Sequence, residues 1–235
     1  PLLAYQLYKN VNQRQYSDLD FIISPGDVKK ALCILESKGY VIRKPFNKTD
    51  RGITKYLQKN NSVELYHANN RLLIELHTGI HAVGWLSSRA ASIFYEDPKI
   101  VNFSGLPIKT FHDDANFLYL CYHGAKHMFF RLTWLRDVAT CMNMWDLDHP
   151  WIMKQACHLG IQKLLGISLL LSNQYFNSVI PEVYNPLFQD NHYYKNAISL
   201  NHRIIAGSGI PGIQKIFYSL FSKERVTGIS RATIP

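Results

Sequence analysis

The sequence predicts an α+β protein, in which a helix–strand–helix–strands unit precedes a helical C-terminal part. Apolar and polar residues alternate near 18–23, 62–67 and 71–80, as is typical of β-strands. From residue 114 to about residue 144 the chain has no proline and one glycine, and its apolar residues recur at helical spacing. Because the strand patterns lie in the first third and the helical patterns follow, the sequence predicts the α+β class.

The predicted N-terminal elements follow one another closely. Asp27 is placed to cap the second helix and Gly39 to end it. In chain order the elements are a helix over 1–9, the strand at 18–23, a helix over 27–38, a strand over 40–43, an exposed loop over 47–52, and a β-hairpin with strands 62–67 and 71–80 turned at Asn69-Asn70.

The pattern changes character near residue 85, and the elements after it are mainly helical. They are a short helix over 85–97, a loop with Pro98, Gly105 and Pro107, a long helix over 114–144, and helices over 150–158, 161–176, 192–206 and 213–222. We therefore expect two domains, an α+β domain over 1–110 and a helical subdomain over 111–235.

Composition narrows the class of protein. The chain has 235 residues, of which 47% are hydrophobic and 18% charged, as in a well-packed globular protein. The longest apolar run, near 164–171, is too short to span a bilayer, so we expect no membrane partner. The net charge of +9 favours an anionic partner, although excess charge also serves solubility. Four cysteines in apolar contexts, without a C-x-x-C pair, predict reduced core thiols of a cytoplasmic protein.

Asp18 and Asp20 lie on the first predicted strand. Side chains alternate along a strand, so both carboxylates point to one face while Leu19, Phe21 and Ile23 point into a core. Two carboxylates this close repel each other unless a positive group lies between them. A hard divalent cation such as Mg²⁺ is the usual partner. The alternative is a strand end that carries two solvated acids.

Glu75 and His77 share one face of a later strand. Ile74 and Leu76 lie on its other face, and an unpaired charge in such apolar surroundings is costly. If this strand lies beside the Asp18 strand, Glu75 completes a three-carboxylate cluster. Such a cluster is able to hold two metal ions about 3.5–4 Å apart.

The long predicted helix carries a polar arc on an otherwise apolar surface. At 100° per residue the arc covers about 140°. We consider two interpretations: an internal salt-bridge network in which Asp137 pairs with Lys126 or Arg131, or a cationic face for phosphate or an anionic acceptor. The residues of the arc are His123, Lys126, His127, Phe130, Arg131, Trp134 and Asp137.

Together these motifs resemble the uncharacterised nucleotidyltransferase family of the DNA polymerase β-like superfamily, over roughly residues 1–180. The resemblance rests on an ordered set of short motifs rather than on one of them. In order they are Leu7-Tyr8, Arg14, Asp18-Leu19-Asp20, Gly39-Tyr40, Glu75-Leu76-His77 and the His-x-x-Lys-His-x-x-x-Arg-Leu-x-Trp-Leu-x-Asp pattern from His123 to Asp137.

The resemblance implies a mixed β-sheet with flanking helices, a helical subdomain, and an Mg²⁺-dependent transfer of a nucleoside monophosphate from a nucleoside triphosphate such as ATP. It implies that Asp18, Asp20 and Glu75 are catalytic and bind two Mg²⁺ ions, and that Glu75 also assists as a general base. The residues expected to contact nucleotide or acceptor are Arg14, Ser17, His77, His123, Lys126, His127 and Arg131.

The resemblance leaves the acceptor open among small molecules, sugars, peptides, proteins and, with less support, RNA. Relatives carry a Gly-Ser or Gly-Gly turn at the first helix, and this chain begins at Pro1, about where that turn should end. We expect a truncated N-terminus, the alternative being a chain without the turn. A catalytically inactive nucleotide- or partner-binding protein and an RNA-associated module are the alternative functions.

Overall fold

The computed structural model describes residues 1–60, 62–69, 71–80, 90–189 and 191–207. It confirms the predicted α+β class, with two β-sheets in the first half of the chain and helices after them. Contacts divide the chain into a first unit, Pro1–Asn116 with Cys157–Gly160, and a second unit, Phe117–Ala156 with Ile161–Pro235. No described helix combines the length and the apolar composition that a membrane span requires.

The described residues of the first unit form short helices and two sheets. Short 3₁₀ turns at Val11–Gln13, Pro25–Asp27 and Ala90–Phe94 connect some of its elements. The elements are α1 Leu2–Tyr8, β1 Asp18–Ile22, α2 Val28–Ser37, β2 Val41–Ile42, α3 Asp50–Asn60, β3 Ser62–His67, β4 Leu72–His77, β5 Pro98–Phe103 and β6 Leu106–Phe111.

The remaining elements are helical. α4 begins in the first unit and runs into the second, and a 3₁₀ segment at Glu182–Gln189 precedes the last described helix. These helices are α4 Asp113–Lys126, α5 Leu132–Met144, α6 His149–His158, α7 Gln162–Phe176 and α8 Asn191–Ile205.

The larger sheet has the strand order β1-β4-β3-β2. β1 pairs with β4 in parallel, whereas β4 with β3 and β3 with β2 are antiparallel. The register places Asp20 beside Glu75 and Glu75 opposite Glu64. One face of this mixed sheet therefore carries a row of charged side chains.

The opposite face of the sheet holds the apolar core of the first unit, where α2 and α3 pack against it. Leu19 and Ile23 of the β1 region pack against this core, as the alternation predicts. Phe21 lies on the same face but remains 46% exposed, because β1 is the end strand of the described sheet. The prediction that the Phe21 side chain is buried in the core is therefore wrong, although the side chain is on the core face of the strand. The buried members are Val28, Leu32, Ile42, Ile53, Leu57, Val63, Leu65, Ile74 and Leu76.

A helix, α3, begins inside the segment that the sequence predicts as an exposed loop over 47–52. Thr49 caps it, since its hydroxyl accepts from the Gly52 N–H (3.2 Å) and its carbonyl accepts from the Ile53 N–H (2.8 Å). Gly52 is required here for space, because a Cβ at this position would overlap the carbonyl of Asn47. Gly52, which led the sequence prediction toward a loop, instead allows the first turn of α3 to pack closely against Asn47.

β5 and β6 form a hairpin where the sequence predicts a loop carrying Pro98, Gly105 and Pro107. Ser104 and Gly105 both have positive φ, at 54° and 83°, which is the geometry of a tight two-residue hairpin turn. A two-stranded sheet tolerates its prolines because each strand has an unpaired edge. Because Pro98 and Pro107 favour a loop, the sequence did not predict this hairpin.

The long helix predicted over 114–144 is broken into α4 and α5 by residues 127–131. Met128 and Phe129 adopt positive φ, at 53° and 46°, which is strained for residues with a side chain. The ring of Phe129 folds back to the position that a Cβ of Gly124 would occupy. Asn201 of α8 donates from Nδ2 to the Met128 carbonyl at 2.6 Å. These tertiary contacts stabilise a break that helical periodicity does not reveal.

Two smaller expectations also need correction. Cys33 and Cys157 are exposed, so only Cys121 and Cys141 are core thiols. Of the helix predicted over 85–97, only a 3₁₀ turn from Ala90 appears, since residues 81–89 lie outside the described part of the chain. The helix predicted over 213–222 also lies outside it.

We expect Gly124→Ala to destabilise the protein. Alanine gains about 1 kcal/mol of helix propensity over glycine. A Cβ added at this position would lie 2.0 Å from the fully buried Phe129 ring, so overpacking costs about 3 kcal/mol, the upper end of its usual range. Urea unfolding should therefore show a net loss of stability, whereas Gly26→Ala, whose nearest neighbouring atom lies 3.8 Å from the added Cβ, should be close to neutral. A Gly124→Ala protein as stable as wild type would contradict this account of the helix break.

Candidate functional site

The site begins with the parallel pairing of β1 and β4. Because paired residues of neighbouring strands share a face, the carboxylates of Asp20 and Glu75 lie side by side. A one-residue slip of either strand would turn its carboxylate into the apolar core, so the core fixes this register. The strand adjacency that the three-carboxylate prediction requires is present.

His77 joins the two carboxylates. Its Nε2 lies 3.2 Å from Asp20 Oδ1 and 3.4 Å from Glu75 Oε2. One ligand atom from each of the three side chains lies within 4.8 Å of the others, which is compact enough for one metal ion. Glu75 and His77 are about three-quarters buried, whereas the Asp20 side chain is 60% exposed. The cluster is therefore open to solvent on the Asp20 side.

The charge of His77 follows from its neighbours. Burial lowers the pKa of His77, but hydrogen bonds to Asp20 and Glu75 and the negative charges of both outweigh burial and raise it to about 9. His77 is therefore an imidazolium at neutral pH and offsets the repulsion between the two carboxylates.

Asp18 lies one pleat away from this cluster, on the same face of β1, and outside the compact set of ligand atoms. Burial raises the pKa of the Asp18 carboxyl, and the charges of Asp20 and Glu75 raise it further. A hydrogen bond with the Ser17 side chain acts in the opposite direction. Asp18 thus lies close enough for the charges of Asp20 and Glu75 to raise the pKa of its carboxyl group, and the Ser17 side chain contacts it directly.

Glu64 is the site residue that sequence reasoning missed. It lies directly opposite Glu75 on β3, so its carboxylate shares the charged face of the sheet. Arg43 Nη1 donates to Glu64 Oε2 at 3.1 Å, and Lys44 Nζ lies 3.9 Å from Glu64 Oε1. The signal was present in the sequence, since a hairpin turned at 69–70 places residue 64 opposite residue 75.

The donor set fits a hard divalent cation. Carboxylate oxygens are the ligands that Mg²⁺ prefers, and Asp20 and Glu75 present theirs side by side. The His77 imidazolium supplies one positive charge to the same two carboxylates. A bound cation and the imidazolium proton would therefore compete for the same negative charge.

The predicted arc residues of the second unit gather around the break between α4 and α5. The His123 ring centroid lies 5.0 Å from that of His127 and 5.2 Å from that of Trp134. Burial lowers the pKa of Lys126, and burial together with the Lys126 charge lowers the pKa of His127. Arg131 is exposed at the start of α5.

The salt-bridge interpretation of this arc does not match the described contacts. Asp137 is fully buried. Within the described ranges, neither Lys126 nor Arg131 forms an ion pair with Asp137 or with another carboxylate.

Arg14, another predicted binding residue, belongs to the first unit. It lies half-buried in extended backbone four residues before β1.

Comparison with known protein families finds a match over most of the chain. The model of a family described as an uncharacterised nucleotidyltransferase matches residues 1–177. No curated protein and no solved structure matches the chain. The matched range contains both the Asp20–Glu75–His77 cluster and the arc around the α4–α5 break.

We expect His77→Gln to reduce stability in a pH-dependent way. Because the folded-state pKa of His77 is raised to about 9 from 6.5, its contribution is complete below about pH 6.5 and is lost as pH rises through about 9. Urea unfolding at about pH 6 should show a loss of about 1–2 kcal/mol, after allowance for partial exposure. The difference from wild type should vanish above about pH 9.

A matched control is His158→Gln, at an exposed position on α6. Its stability should follow that of wild type across the same pH range. A His77→Gln protein with a pH-independent loss of stability would contradict the assigned imidazolium.

Proposed function

The chain belongs to the uncharacterised nucleotidyltransferase family, and we propose that it is an Mg²⁺-dependent enzyme. It would transfer a nucleoside monophosphate from a nucleoside triphosphate, such as ATP, to an acceptor. The observation that carries the proposal is the side-by-side placement of Asp20 and Glu75 on parallel strands, bridged by His77. Carboxylates in this arrangement are suited to holding a metal ion with substrate phosphates.

Asp20 and Glu75 would hold the cation directly, and Asp18, on the same face, would complete the ligand set for two ions. When bound, Mg²⁺ polarises the phosphoryl oxygens and offsets the charge of the phosphates. Glu75 would also accept a proton from the acceptor, and its position on an inner strand, with a second carboxylate, Glu64, opposite it, supports this role. His77 orients Asp20 and Glu75 through its two contacts.

The remaining predicted residues serve binding in this proposal. Arg14 and Ser17, just before β1, would contact the nucleotide phosphates or the acceptor, and so would four residues of the second unit. We propose that the first unit carries the catalytic domain and the second the helical subdomain. The four residues are His123, Lys126, His127 and Arg131.

The acceptor is proposed as a molecule with a nucleophilic oxygen, in the class of small molecules, sugars, peptides or proteins. We propose that the activity is cytoplasmic, because the thiols of Cys33 and Cys157 are exposed, which suits a reducing compartment.

We expect substitution of Asp20 to weaken metal–nucleotide binding and to slow nucleotide transfer. Calorimetry with Mg²⁺ and each nucleoside triphosphate should show binding by wild type and at least about 10-fold weaker binding by Asp20→Asn, because one carboxylate ligand is lost. Transfer of radiolabelled nucleotide should fall by about 100-fold or more. Asp50→Asn, which removes only the exposed ion pair with Lys29, is the control and should match wild type.

Two outcomes would oppose the proposal. Equal metal–nucleotide binding by wild type and Asp20→Asn would remove the metal site. Tight binding without any transfer by wild type would favour the inactive nucleotide-binding alternative.

A further inference from the structure

The 127–131 turn holds a strained conformation that the sequence alone would replace by a continuous helix. Consecutive left-handed residues with side chains, Met128 and Phe129, are energetically unfavourable. Phe129 fills the space over Gly124, and the buried Asn201 amide donates to the Met128 carbonyl, so surrounding packing maintains the strain. As a result the turn presents Phe130 and Arg131 at the surface, where they are both exposed.

Phe130, Arg131 and Trp134 form a surface that we call the ring–cation patch. The Phe130 and Trp134 rings meet edge to face with centroids 4.8 Å apart. The Arg131 guanidinium carbon lies 5.4 Å from the Phe130 centroid and 5.6 Å from the Trp134 centroid. Phe130 is 48% exposed, so part of this ring surface faces solvent. The patch therefore combines an aromatic surface with a planar cation.

A half-buried histidine, His127, borders the patch. Its ring lies 5.6 Å from that of Trp134 and 6.4 Å from that of Phe130. The positive charge of Lys126, the last residue of α4, lies close enough to lower the pKa of His127. In the part of the chain that the structure describes, Lys126 and Arg131 have no carboxylate partner. Lys126 and Arg131 therefore give this part of the surface a positive charge.

This combination selects the chemistry of a ligand. Aromatic rings attract organic cations, but Lys126 and Arg131 would repel them. A bare inorganic anion would use the two cations and leave the exposed Phe130 ring in water. A ligand with both a planar aromatic ring and an adjacent negative charge satisfies the rings and the cations together, since bases stack on aromatic and guanidinium surfaces.

We propose that the ring–cation patch binds a nucleotide, with its base stacked on Phe130, Trp134 and the Arg131 guanidinium and its phosphate near Lys126 and Arg131. The proposal deepens the proposed function and rests on it for the identity of the ligand. Phe130 and Trp134 are new assignments in it, as the residues that contact the base.

The experiment distinguishes the contribution of the aromatic rings to binding from that of the positive charges. It also distinguishes binding at the ring–cation patch from binding at the carboxylate cluster. All proteins carry Asp20→Asn and all titrations contain EDTA, so binding does not depend on a metal at Asp20 and Glu75. The probes are ATP, tripolyphosphate (charge without a ring) and adenosine (a ring without charge), followed by tryptophan fluorescence and calorimetry. The variants are Phe130→Ala, Trp134→Leu and Arg131→Gln, with Trp151→Leu as control.

We expect ATP to bind at least about 10-fold more tightly than tripolyphosphate or adenosine. Phe130→Ala and Trp134→Leu should each weaken ATP binding by about 5-fold or more and leave tripolyphosphate unchanged, because only the stacking surface is lost. Arg131→Gln should weaken both anions, and Trp151→Leu should weaken neither. Phe130 is half-exposed, so its variant keeps the test valid even if Trp134→Leu fails to fold.

Equal affinity for ATP and tripolyphosphate, or unchanged ATP affinity in Phe130→Ala, would overturn the proposal. Neither result bears on nucleotide transfer by the carboxylate cluster, which is measured with metal on the chain that retains Asp20. Conversely, a chain that transfers no nucleotide but shows the expected pattern would keep the patch and reject the catalytic function.

Discussion

The parallel pairing of β1 with β4 is the constraint on which the candidate site depends. It places Asp20 beside Glu75, where two negative charges would repel each other, and His77 on the same strand face offsets that repulsion from 3.2 and 3.4 Å. The apolar residues of these strands lie on the other face, under α2 and α3. Because side chains alternate along a strand, the strand register that buries the apolar residues also places the carboxylates on the opposite face.

The charged face extends beyond the pair. Glu64 continues the row from Glu75, and its charge is offset by Arg43 and, at longer range, Lys44. Each carboxylate next to Glu75 thus has its own cation, His77 for Asp20 and Arg43 for Glu64. This arrangement keeps a concentrated negative site compatible with a folded sheet, and a divalent cation would compete with the His77 imidazolium for the charge of Asp20 and Glu75.

Local patterns predicted much of this, and long-range contacts account for the rest. Period-two alternation gave the faces of Asp20 and Glu75, and the hairpin turn already implied the pairing with Glu64. The parallel pairing joins strands about 55 residues apart in sequence, and no local pattern specifies it. The α4–α5 break depends likewise on Asn201, 73 residues from Met128, so helical periodicity missed it.

If a divalent cation replaces the imidazolium charge between Asp20 and Glu75, metal binding should release a proton from His77. Calorimetric titration with Mn²⁺ at about pH 7.5, in buffers of different ionisation enthalpy, counts the protons released per metal bound. Because the pKa of His77 is about 9 before binding, we expect release of about one proton per metal ion. Binding of Mn²⁺ without proton release would show that the metal does not compete with the His77 imidazolium, and the proposed metal position between Asp20 and Glu75 would be wrong.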